Sequence, residues 1–225
     1  MHKALVINSS ASGEQSVSRT LVAYAMERLA AAYPGLEVSY RDLDADPVPH
    51  LVASTVAGVR GVPVSDRELD AQALSDRIIA EVQAADILVI GAPMYNFSIP
   101  TTLRAYFDHL LRPRVSFSYT EAGPQGLLTG KSAMIIEARG GLYSEGPARA
   151  LDFQEPYLRQ LLSFIGITEV KFIRAEKIGF GPEARELALT AAKERIAAAM
   201  PRIGSIVAAL APAWSGAGPV VASVD

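Results

Sequence analysis

A doubly wound α/β fold, with five parallel strands in one sheet and helices on both faces, is what this sequence predicts. Three observations carry the expectation. Five short, mostly apolar runs recur along the chain, each the length of a strand. Between them lie longer segments whose apolar residues repeat at helical spacing. Half of the 225 residues are hydrophobic, which suffices for one substantial core. Regular strand–helix alternation of this kind argues for a parallel sheet covered on both sides.

Taken in order, the first strand is Lys3 to Asn8, built on Ala4-Leu5-Val6-Ile7. A helix from Ser16 to Tyr33 follows, because Val17, Leu21, Tyr24, Ala25, Leu29 and Ala32 fall on one face. Leu36 to Tyr40 is the second strand. Asp42 to Asp66, rich in Pro, Val, Gly and Asp, reads as a long connection with little regular structure, a kind usually functional or mobile. Glu68 to Ala84 is a helix with Leu74, Ile78 and Val82 on its seam, and Asp86 to Gly91 is the third strand. Pro100 opens the next helix, through Leu103 to Leu111. Arg112 to Gly130 contains the alternating stretch Val115 to Tyr119. The turn signal Glu121-Ala122-Gly123-Pro124 follows it, so this segment reads as a hairpin-like flap beside the loop that begins at Met94. Ala133 to Ala138 and Glu169 to Arg174 complete the sheet, with a crossover helix from Asp152 to Ile165 between them. Pro182 to Ala199 is the closing helix, ended or kinked at Pro201. One domain over 1–211 and a flexible tail over 212–225, holding the only tryptophan, Trp214, account for the chain.

Composition removes several kinds of function. The formal net charge of −3 offers no cationic field for nucleic acid or anionic lipid. With no cysteine, zinc–thiolate sites, iron–sulfur clusters and a thiol nucleophile are excluded. Three scattered histidines, His2, His50 and His109, do not make a metal site. The apolar run at the N-terminus is too short for a signal peptide and no segment approaches a membrane span, so the expectation is a cytoplasmic protein without membrane contact.

Ligands of open α/β sheets bind outside the carboxyl ends of the strands. Three loops fall there. The first, Asn8 to Arg19, holds five serines within ten residues and lacks both G-x-G-x-x-G and G-x-x-x-x-G-K-[ST]. It suits one phosphate monoester better than a dinucleotide or a triphosphate. Ser16 and Ser18 fit a helix cap as well as a phosphate cup. The second loop, Met94-Tyr95-Asn96-Phe97-Ser98, offers a thioether, aromatics, an amide and free backbone N–H groups to a planar heterocycle. The third, Ala138-Arg139-Gly140-Gly141, allows close backbone approach, and paired glycines equally make a tight turn. Flavin mononucleotide (FMN) fits all three.

These residues resemble the FMN-dependent NADH azoreductase family of the flavodoxin-like quinone reductase superfamily. The shared pattern P-x-Y-x-x-x-x-P-x-x-L-[KR] stands here as Pro93, Tyr95, Pro100, Leu103 and Arg104. Tyr119-Thr120-Glu121, Gly123-Pro124-Gln125-Gly126-Leu127, Arg139-Gly140-Gly141, Phe164 to Thr168 and Gly181-Pro182-Glu183 extend the likeness from about Met1 to about Ala199. It implies a flavodoxin-like fold and a homodimer with FMN at each subunit interface. It also implies two-electron reduction of quinones and aromatic azo compounds by NADH or NADPH. By position it places Ser10, Ser16, Val17 and Ser18 around the phosphate, Met94, Tyr95, Asn96 and Phe97 beside the ring, and Ala138, Arg139, Gly140 and Gly141 at its polar edge. Tyr119 and Leu161 would line the substrate pocket. The chain departs from the family at Ala138, where many members have serine, at Leu161, where a phenylalanine can stand, and at Arg104, where lysine is commoner.

No side-chain acid or nucleophile is needed when a flavin carries the chemistry. One open ring face beneath the flap predicts ping-pong exchange of nicotinamide and acceptor. Tyr119 reads equally as a core aromatic of the flap. The alternative is a flavodoxin-type single-electron carrier, usually far more acidic than this chain.

Overall fold

Ala4, Leu5, Val6 and Ile7 are all buried, and they form the middle of β1 (Lys3–Asn8). A strand with both faces covered must be apolar at every position. The computed structural model describes residues 2–207. The expected tail with Trp214, and the proposed domain end at 211, lie outside the described residues.

Five strands form one parallel sheet: β1, β2 (Glu37–Asp42), β3 (Ile87–Pro93), β6 (Ser132–Ala138) and β7 (Glu169–Ala175), in the order β2-β1-β3-β6-β7. Side chains alternate between two cores. Leu5, Ile7, Leu88, Ile90, Ala133 and Ile135 face α3 (Asp66–Ala84), α4 (Thr101–Leu110) and α5 (Glu155–Phe164). Ala4, Val6, Ile87, Val89, Met134 and Ile136 face α1 (Val17–Ala32) and α6 (Pro182–Val207). With both faces buried, a one-residue slip would exchange the two sets between cores of different shape, so register is firmly set. The doubly wound class is as expected.

Three segments differ from expectation. The connection after β2 is not without structure: α2 (Val56–Arg60) lies in it and packs on α3. A Cβ at Gly58 would overlap the Glu68 carbonyl, so only glycine permits that approach. Arg60 donates to the carbonyls of Leu111 and Asp108, and His109 Nε2 meets the Pro49 carbonyl at 3.1 Å. Tertiary contacts, and no local periodicity, fix this segment. Secondly, α6 continues past Pro201 to Val207, so Pro201 does not end it.

The flap is a hairpin, β4 (Phe117–Thr120) paired antiparallel with β5 (Gly123–Gly126). Its root lies against the carboxyl end of α5: Leu128 N donates to Ile165 O at 2.8 Å, and the Phe117 ring packs at a tilt on Phe164, 4.6 Å between centroids. The amino end of α5 is the end near the Met94 loop, and ten helical residues, about 15 Å of rise, separate the two. The expected placement of the flap beside the Met94 loop is therefore corrected. Glycine at 126, whose Cβ would overlap the Gly166 backbone, fixes the docking.

Candidate cofactor site at the carboxyl edge

Asn8, Pro93 and Ala138 end β1, β3 and β6 side by side, so the three following loops open on one edge. Hydrogen bonds join them. Ser9 Oγ donates to Gly91 O at 2.7 Å, Ala11 N to the Tyr95 hydroxyl at 3.1 Å, and Met94 N to Ala138 O at 2.8 Å.

Ser10, Ser16 and Ser18 are buried in the first loop. Ser16 caps α1, its Oγ accepting from Arg19 N at 3.2 Å, and it lies 3.1 Å from Ser18 Oγ. The cap is real, and it leaves the N–H groups of Val17 and Ser18 without a protein acceptor among the described residues. A cap and an anion site coexist at this helix start. Arg19, passed over in the sequence, has its guanidinium on both Asp42 oxygens and on the Ser10 carbonyl at 3.0 Å. That pair holds the Asp42 carboxyl down at about 2. Arg19 thus braces the loop from β2 instead of presenting a free cation. A basic residue in the first turn of α1, with an acid ending the second strand, was the available signal.

In the second loop Tyr95 and Ser98 exchange both backbone hydrogen bonds, at 2.9 and 3.1 Å. Asn96 and Phe97 between them have φ of 48° and 71°. Two successive positive φ values define a type I′ turn, whose second position favours glycine. A phenylalanine there is strained by about 1–3 kcal/mol. The strain holds the Phe97 ring at the rim, edge-on to Tyr143 at 6.1 Å.

In the third loop the Arg139 side chain turns away from the open edge. Its side chain is 0% exposed and turned beneath the loop. Its N–H donates to Ala175 O at 2.8 Å, and its carbonyl accepts from Ile178 N at 3.2 Å. The open groups are the N–H of Gly140 and Gly141, and a Cβ at Gly140 would meet nothing within 4 Å. Arg139 instead meets Glu137 at 2.8 Å, Asp152 at 3.0 Å and Glu176 at 3.3 Å. Burial pushes the Glu137 carboxyl up to about 8 despite the neighbouring cation. Glu176 is held low, against its burial, by bonds from Ser144 and the Tyr143 N–H and by Arg139. Gln154, also unassigned in the sequence, lies buried between these groups and the Ala92 carbonyl.

Ser10, Ser16, Val17, Ser18, Met94 to Phe97, Ala138, Gly140 and Gly141 are thus brought to one edge. Tyr119 and Leu161 are not. Tyr119 is 74% exposed on the hairpin and Leu161 lies in the last turns of α5, both toward the far end of that helix. The donor set fits a mononucleotide: hydroxyls and helix N–H groups at one end, glycine N–H groups at the other, aromatic and thioether groups between. Among the described residues no group of His, Asp and Glu is arranged to hold a metal ion.

A family model described as flavodoxin-like fold matches residues 2–200. A Hyphomonas neptunium protein named FMN-dependent NADH:quinone oxidoreductase is 59% identical over 197 residues, covering 88% of this chain and 95% of its own. An Azotobacter vinelandii protein of the same name is 50% identical over 199 residues, covering 88% and 98%. Among solved structures, an azoreductase from Bacillus anthracis str. Sterne superimposes with a TM-score of 0.82 at 30% identity, over 90% of this chain and 100% of that one. An FMN-dependent NADH-azoreductase from Bacillus anthracis str. Ames Ancestor, in complex with FMN, gives 0.80 at 25%, over 90% and 99%.

Proposed function

The chain belongs to the flavodoxin-like fold family, and from that premise we propose that it is an FMN-dependent NADH:quinone oxidoreductase that also reduces aromatic azo compounds. The observation that carries the reading is the joined set of three loops, with phosphate-type donors at one end and the Gly140–Gly141 N–H pair at the other. FMN, when bound, supplies a ring that takes a hydride from the reduced nicotinamide and passes two electrons to the acceptor. The chain's own part is binding and orientation. Val17 and Ser18 N–H groups, with the Ser10, Ser16 and Ser18 hydroxyls, hold the phosphate. Met94 to Phe97 flank the ring, and the Gly140 and Gly141 N–H groups offer fixed dipoles to its polar edge. The single-electron carrier is disfavoured by the relatives' names, which are those of enzymes.

We further propose a C2 homodimer. Phe97, Tyr119, Leu127, Leu151 and Phe153 are large hydrophobics exposed on this chain, which a second copy could cover. Tyr119 and Leu161, remote from their own subunit's edge, would then serve the partner's acceptor pocket. The proposed compartment is the cytoplasm, consistent with NADH as donor; among the described residues no helix is long and apolar enough to cross a membrane.

Heat-released chromophore from the purified protein is expected to chromatograph as FMN. Anaerobic NADH should bleach it in one two-electron step, and double-reciprocal plots at several quinone concentrations should be parallel. Recovery of FAD alone, or bleaching without quinone turnover, would overturn the assignment. Sedimentation at micromolar concentration should show a dimer; a fully active monomer contradicts that part.

A further inference from the structure

We infer that Gln154 and Arg139 are positioning residues, a buried latch that sets the spacing between the ring-flanking loop at Ala92 to Phe97 and the Gly140–Gly141 turn. The inference rests on the FMN reading of the site.

The latch is a continuous run of hydrogen bonds beneath the edge. Gln154 Nε2 donates to Ala92 O at 2.8 Å, where β3 enters its loop. Gln154 Oε1 accepts from Arg139 Nε at 3.0 Å. Arg139 Nη1 reaches Glu176 Oε1 at 3.3 Å, and that carboxylate accepts from Tyr143 N at 2.8 Å and from Ser144 N at 3.0 Å. The run therefore begins under one loop and ends under the backbone that follows the glycine pair. Gln154 and Arg139 are both 0% exposed.

Two arguments make this more than packing. Replacing a buried ion network by apolar residues of like volume is often neutral or stabilising, so stability alone does not account for this one. The middle link must also donate on one side and accept on the other, which an amide does and a carboxylate does not. The same segments also meet at Met94 N to Ala138 O, at Phe153 N to Phe97 O, 3.1 Å, and in the Phe97–Tyr143 ring contact, and the run through Gln154 and Arg139 is the buried side-chain tie among them. Neither Gln154 nor the Arg139 guanidinium faces the open edge, so each acts through backbone it holds.

The test compares apoprotein of the wild type with Gln154→Glu and Gln154→Met. Glutamate keeps the shape and the acceptor for Arg139 and, when ionised, sets an anionic oxygen against the Ala92 carbonyl where the amide donated. Methionine keeps the shape alone. Titration with FMN and with riboflavin is followed by flavin fluorescence, and the midpoint potential and visible spectrum of the bound flavin are recorded. Both variants should weaken FMN and riboflavin by a common factor of about ten, the worth of a lost hydrogen bond or two. The FMN-to-riboflavin ratio should stay at the wild-type value, because the phosphate end is untouched, while potential and spectrum shift. A purely structural glutamine would lower the melting temperature and leave potential and spectrum alone. Gln154→Met that folds with wild-type affinity, potential and spectrum overturns the inference, as does Gln154→Glu that keeps them at every pH from about 6 to about 9, the range being needed because a protonated glutamic acid would still donate to Ala92. Wild-type protein that binds no FMN overturns the functional reading first, and the latch with it.

Discussion

Replacing Arg139 with leucine is expected to cost about 3–5 kcal/mol of stability, the usual result of removing one partner from a buried ion pair. For a domain of this size that is a fall in Tm of roughly 6–20 °C. The guanidinium is fully buried and faces Glu137, Asp152 and Glu176. The effect should depend on pH in a defined direction. Glu137 titrates at about 8 in the folded protein, above its ordinary value of 4.5. The folded state therefore holds this proton more tightly than the unfolded one. Its contribution is fully present below about 4.5 and lost as pH rises toward 8, by up to about 1.4 kcal/mol per unit. Without the cation the carboxyl moves higher still, so the loss continues above pH 8 in Arg139→Leu after it has levelled off in the wild type. Urea denaturation of both proteins at pH 6 and pH 9 checks this. A gap between them that is no wider at pH 9 than at pH 6 would contradict the assignment of the charges.

Ser16→Ala combined with Ser18→Ala is expected to raise the Kd for FMN at least about tenfold, since each hydrogen bond to a phosphate is worth about 1.5–3 kcal/mol. Riboflavin, lacking the phosphate, should bind nearly as before. Ser16 is also the cap of α1, so the same protein should lose about 1 kcal/mol of stability regardless of flavin. The two losses separate cleanly: denaturation of the apoprotein reads the cap, and the FMN-to-riboflavin ratio reads the phosphate. Equal weakening of both flavins would leave the serines as a cap alone.

The three inner strands β1, β3 and β6 were legible because they are buried on both faces and so mostly apolar, while the edge strands β2 and β7, partly exposed and carrying charges, were legible from their place in the alternation. The helices of the crossovers were legible from their spacing, and Pro182 marks the start of the last. The short helix at Val56 was not, because five residues around a glycine carry no period, and its position depends on Gly58 meeting α3. The hairpin could be read from alternation and its turn, while its docking site rests on Gly126 against Gly166, a contact without a local signature. Arg139 was placed at the ring's polar edge by position in the resemblance alone, and its side-chain environment was not read from the sequence. Parity supplies it: Ala133 and Ile135 face the α5 side, so Glu137 and Arg139 continue the same row beneath that helix. Counting by twos would have found the latch's central residue.

A screen that rewards heat resistance alone would reach the turn at Asn96–Phe97 early. Phe97→Gly relaxes a backbone that phenylalanine occupies at φ 71°, and the protein it yields should survive heating better than its parent. It would also lose the ring that stands edge-on to Tyr143 beside the proposed flavin site. Selection for durability and selection for turnover therefore pull opposite ways at this one position, and a thermostable descendant carrying glycine there should be a sturdier and slower catalyst.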